Sequence, residues 1–102
     1  MNRPEHLLII LAEECNEVAH RCSKALRFGL QEVEPGQALT NAQRIYLEYA
    51  DLQAVFGMLV TEGAMRGCNL DLNELDRVKG KKRTKIERYL DYSRECGTLK
   101  ET

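Results

Sequence analysis

The sequence predicts an all-α fold, a bundle of three to four helices, on three observations. Apolar residues recur at i, i+3, i+4 and i+7 through two long stretches, the period of a helix with one buried side. Only 2 prolines and 7 glycines punctuate 102 residues, so helices are long and turns few. Carboxylates three residues apart occur on each long stretch, as Glu14 and Glu17 and again as Glu48 and Asp51.

The first helix is expected from about Glu5 to Phe28, with Pro4 suited to a helix start. Leu7, Leu8, Leu11, Cys15, Val18, Cys22, Ala25 and Leu26 form its apolar stripe. Glu14 borders that stripe, Glu17 and Arg21 lie just beyond it, and Glu13 points further out. Gly29 fits a C-cap. Residues 30–39 are a polar connection with a Pro35-Gly36 turn, long for a helix–helix loop.

Thr40 or Asn41 can cap a second helix running to about Met65, which Arg66-Gly67-Cys68-Asn69 is expected to end. Ile45, Tyr49, Leu52, Phe56, Leu59 and Val60 make one apolar stripe, and Leu47, Ala54, Met58 and Met65 a second, roughly opposite. Glu48, Asp51 and Val55 lie between them. A helix apolar on two sides is buried on two sides, so this one is expected to pack on its own chain and on a second subunit. Asp71 or Asn73 can cap a third helix to about Cys96, with Gly97 as C-cap and Gly80 as a break or kink. Its segment from Arg77 to Arg88 carries Lys79, Lys81, Lys82, Arg83 and Lys85 as well.

Composition narrows the function classes. The length allows one domain over residues 1–102. Apolar residues at 43% and charged ones at 30% suit an ordinary globular chain. A net charge of −1 and a basic run without interleaved aromatics argue against nucleic acid as partner. No stretch suits a membrane span. Leu7 to Ala12 is too short for a signal-peptide core, and the cytoplasm is the expected compartment. Cys15, Cys22, Cys68 and Cys96 show neither Cys-x-x-Cys nor zinc spacing, and read as small core hydrophobes in a reducing compartment. Glu17-x-x-His20 matches half of a di-iron helical motif, but the second Glu-x-x-His is missing.

The carboxylates carry the chemistry. On a helix, residues i and i+3 project about 60° apart, so two facing pairs would set four carboxylates around one point. Four such charges cannot stay ionised together without a cation among them. Hard oxygen donors suit Mg²⁺, with Mn²⁺ as an alternative. The plainer alternative pairs Glu14 and Glu17 with Arg21 or Lys24 on a solvated surface.

Glu13-Glu14-Cys15-Asn16-Glu17-Val18, followed by Glu48-Tyr49-Ala50-Asp51-Leu52, resembles the Glu-x-x-Glu … Glu-x-x-Asp signature of the all-α nucleoside triphosphate pyrophosphohydrolases. This is the MazG-like superfamily, which includes dimeric dUTPases and phosphoribosyl-ATP pyrophosphohydrolases; the small size resembles its stand-alone or phage-type members. The resemblance covers roughly residues 7–60. It implies Mg²⁺ held by Glu14, Glu17, Glu48 and Asp51, with one of them or Glu13 as general base. It implies cleavage of a nucleoside triphosphate between the α and β phosphates, giving monophosphate and pyrophosphate. Lys79 and Lys82 would hold the phosphates, with Lys24 and Arg27 as further candidates. Family members are dimers or tetramers with sites near subunit interfaces. The competing expectation is a non-catalytic helical interaction or nucleotide-binding module with structural carboxylates.

Overall fold

The computed structural model describes residues 1–68 and 71–100. Three helices, α1 (Arg3–Phe28), α2 (Asn41–Thr61) and α3 (Leu72–Cys96), account for the regular structure of these residues, and there is no strand among them. The chain divides into two compact units, Met1–Arg66 and Gly67–Thr102.

In the first unit α1 and α2 form an antiparallel hairpin. Asn2 caps α1, its side chain accepting from the Glu5 N–H at 3.0 Å. That cap lets the helix begin at Arg3, ahead of the expected Glu5. Gly29, at φ 105°, ends α1, and its N–H donates to the Ala25 carbonyl. Of the two cap candidates for α2 it is Thr40 that acts, in a capping box with Gln43. The connection between the helices is ordered: Val33 and Thr40 form an antiparallel bridge, and the Asn41 N–H donates to the Glu32 carbonyl.

The far end of α2 corrects the sequence expectation. The helix stops at Thr61, not Met65. Gly63 takes φ +80°, the Ala64 N–H reaches back to Leu59 and the Gly63 N–H to Val60. That is a Schellman stop, reached one turn before Gly67. There Arg3 clamps Glu62 from α1 with two hydrogen bonds, at 2.6 and 3.0 Å.

The hairpin seam is narrower than the apolar stripes. On α1 the buried and half-buried positions include Leu7, Leu11, Glu14, Val18, Arg21 and Ala25, spaced alternately four and three. On α2 they include Asn41, Ile45, Glu48, Leu52, Val55 and Leu59, with the same spacing. This is the spacing of knobs-into-holes packing, and three of its twelve positions hold charged residues. Among the described residues, Leu7, Ala25 and Leu59 are the buried apolar ones. Leu59 is fully enclosed, which contributes about 2 kcal/mol. Leu8, Tyr49 and Phe56, expected inside, are about half exposed, and Leu26 is 89% exposed. All four cysteines are exposed rather than core. A two-helix hairpin has one seam, so the rest of each apolar stripe stays outside it.

In the second unit Asp71 caps α3 by accepting from the Glu74 N–H at 2.8 Å. Gly97 closes the helix in the left-handed conformation, with Thr98 reaching back to Ser93. The expected break at Gly80 does not occur: the helix runs through it. One interior glycine costs about 1 kcal/mol, too little to interrupt a well-capped helix. No residue of α3 is buried.

Candidate metal centre

The seam brings the two carboxylate motifs together at mid-hairpin. Glu14 comes from the fourth turn of α1, Glu48 and Asp51 from consecutive turns of α2. One oxygen from each lies within 4.8 Å of the other two. Glu14 and Glu48 are half-buried and Asp51 is exposed, so the cluster opens to solvent on the Asp51 side. The Oε2 of Glu14 is buried without a hydrogen-bond partner. Burial pushes the Glu14 carboxyl above the usual carboxylate range, and the charges of Asp51, Glu48 and Glu17 push it further.

This arrangement could hold a divalent cation. Oxygens sharing one Mg²⁺ at 2.0–2.1 Å lie at most about 4.2 Å apart, a small side-chain adjustment from what is present. A carboxylate oxygen buried without a partner is also open to a cation. Glu17 is exposed and stands outside the group of three, though its charge reaches Glu14. Glu13 is exposed on the next face of α1. Neither Glu14 nor Glu17 pairs with Arg21 or Lys24 among the described residues.

One turn toward the loop the charge reverses. Glu34, from the connection, accepts from Arg44 at 2.9 Å and pairs with Lys24 at 3.8 Å. The Arg44 hydrogen bond, then the Lys24 charge, holds the Glu34 carboxyl below its ordinary range, and Arg21 adds to this. Beside it Asn41, 2% exposed, donates through Nδ2 to the Gly29 carbonyl and to Glu32 Oε1, each at 2.9 Å. A cavity of about 270 Å³ opens here, lined by Lys24, Phe28, Glu32, Glu34, Pro35 and Asn41.

Comparisons with protein-family models, with curated proteins and with solved structures give no match.

The remaining phosphate candidates lie elsewhere. Arg27 stacks over Phe28 at 4.9 Å and takes no part in the Glu34 cluster. Lys79 and Lys82 belong to the second unit and are exposed. Because α3 is continuous through Gly80, they stand about 60° apart on one face, the face that also carries Leu75 and Ile86. Among the described residues no helix is long and apolar enough to cross a membrane.

Sequence reasoning missed Arg44, Glu34 and the buried role of Asn41. Glu34 and Asn41 draw their roles from how the loop folds back. A signal for Arg44 was available: it stands one turn before Glu48, and Arg21 one turn after Glu17, which in an antiparallel pair points both the same way.

Proposed function

We propose that this protein is a divalent-cation-dependent nucleoside triphosphate pyrophosphohydrolase of the MazG-like kind. One observation carries the reading: Glu14, Glu48 and Asp51 converge from two helices, with a Glu14 oxygen buried and unpartnered. Hard carboxylate donors favour Mg²⁺, or Mn²⁺ in its place. The motif resemblance over residues 7–60 supplies the reaction class.

In this reading Glu14, Glu48 and Asp51 are metal ligands, and Glu17, one turn on, is the fourth. A cation held there would neutralise polyphosphate charge and lower the pKa of water bound to it. Glu13, exposed beside the cluster, or one of the four ligand carboxylates takes the proton as a water oxygen bonds to the α-phosphorus. The bond from that phosphorus to the bridging oxygen breaks, and pyrophosphate leaves. Lys24, beside the cavity, holds phosphate oxygens, and Lys79, Lys82 and Arg27 are assigned the same task. The exposed Leu8, Leu26, Tyr49 and Phe56 support assembly as a homo-oligomer, since a second copy could cover apolar residues that the seam leaves outside. The compartment is the cytoplasm.

A second reading, a non-catalytic helical interaction module, is favoured by the same exposed residues. A product assay separates the two. Purified protein is given each ribo- and deoxyribonucleoside triphosphate with Mg²⁺, and monophosphate, pyrophosphate and orthophosphate are followed separately. Monophosphate and pyrophosphate in equal amounts, absent with Asp51→Asn, is the expected result. Turnover retained in Asp51→Asn, or orthophosphate as the product, refutes the proposal. No product from any nucleotide favours the interaction module.

A further inference from the structure

Three cations surround Glu34, and they are not equivalent. Arg44 and Lys24 are paired with it. Arg21 forms no hydrogen bond or ion pair with any described residue, although its Nε is buried and the residue is half-buried. A buried guanidinium N–H without an acceptor is costly, and an anion arriving beside Arg21 would supply one. The chain has its own acceptors within one turn, at Glu17, and they are not used.

Position says which anion. Glu14 and Arg21 are seven residues apart on α1, two turns, and so share one side of the helix about 10 Å apart along its axis. On α2, Arg44 stands one turn before Glu48. Because the helices are antiparallel, both arginines lie on the same side of the carboxylates, toward the loop. The seam thus runs from an acidic layer (Glu14, Glu17, Glu48, Asp51) to a basic one (Arg21, Lys24, Arg44 around Glu34). A cation at the first layer and an arginine fork at the second match a chain of linked phosphates lying along the seam.

We infer that Arg21 is a phosphate-binding residue, holding the polyphosphate tail of the substrate through its guanidinium with Arg44 beside it. This rests on the reading of the carboxylates as a metal site, and it moves the main phosphate contact from the lysines to an arginine of the seam. Glu34 is a positioning residue that keeps Arg44 and Lys24 extended toward the same place.

The test uses inorganic tripolyphosphate and Mn²⁺ as probes of the full chain. Tripolyphosphate affinity is measured by calorimetry with and without Mn²⁺, and Mn²⁺ affinity by electron paramagnetic resonance. Arg21→Gln is expected to weaken tripolyphosphate binding about tenfold or more, the loss of one charge-assisted contact, with Mn²⁺ affinity unchanged. Arg21→Lys, which keeps the charge but not the fork, falls between, and alone decides the matter if Arg21→Gln does not fold. Equal tripolyphosphate affinity in wild type and folded variants overturns the inference, while Mn²⁺ binding in the same samples leaves the metal site standing. Arg21-dependent tripolyphosphate binding by a protein that ignores Mn²⁺ upholds the inference and removes the metal site. A wild-type protein that binds no tripolyphosphate under either condition overturns it.

Discussion

Replacing Glu14 by glutamine tests the metal centre most directly, because the two sides of the change separate. Without metal, Glu14→Gln removes one of the charges crowded within 4.8 Å, so the variant should melt no lower than wild type. With metal, the variant lacks the donor whose oxygen is buried and unpartnered. Mg²⁺ at a hundred times its Kd stabilises a folded protein by about 2.7 kcal/mol. For a chain of this size that corresponds to roughly 11–22 °C in Tm. If losing one charged ligand weakens binding by two orders of magnitude, the same Mg²⁺ concentration contributes only about 0.4 kcal/mol, a few degrees. The assay is thermal melting followed by circular dichroism across a Mg²⁺ titration. A Mg²⁺ shift of equal size in both proteins, or none in wild type, would refute the assignment.

Other expectations concern the scaffold. Leu59→Ala, at the fully enclosed position of the seam, should cost about 2–5 kcal/mol by chemical denaturation. Gly80→Ala meets nothing within 4 Å and lies mid-helix, so α3 should gain about 1 kcal/mol, seen as raised helicity. Gly63→Ala forces a side chain to φ +80° and should destabilise the α2 stop by about 1 kcal/mol, read in the same melts. Glu34 ionises below the ordinary carboxylate range, so its contribution is complete above about pH 4.3 and is lost as pH falls through its folded value. The difference in Tm between wild type and Glu34→Gln should therefore shrink on acidification below about pH 4.

Helix content and the pairing of Glu48 with Asp51 were legible because both are local, whereas Glu17 lies outside the group that Glu14 joins. Periodicity marks helices, and i, i+3 spacing sets Glu48 and Asp51 on one side whatever surrounds them. Caps were legible to within a choice of two, since Thr40 and Asn41 have equivalent chemistry until the loop decides. What misled was the width of the apolar stripes. Cys15, Cys22 and Leu26 follow the helical period, but a single partner helix covers only an alternating four-and-three row. Gly63 was passed over because Gly67 sits in an equally good stop signal, and backbone hydrogen bonds made the choice. The spacing carries a trace of the two arginines of the basic layer, but the place of Glu34 depends on the fold of residues 30–39, which carries it back to α1 and α2.

The layering of the seam also bears on how the hairpin finds its alignment. In the native register acid faces acid, at Glu14 and Glu48, and arginines from both helices, Arg21 and Arg44, gather around one carboxylate. Sliding one helix by about a heptad would set Glu14 near Arg44, an attractive pairing that the spacing of four and three also permits. Charge therefore favours the wrong alignment, and the correct one is held by features at the two ends: the Arg3–Glu62 clamp, and the bridged loop with Asn41 buried against Gly29. The hairpin is frustrated at its centre and pinned at its ends, so ions that bind the centre would act as the missing determinant of register.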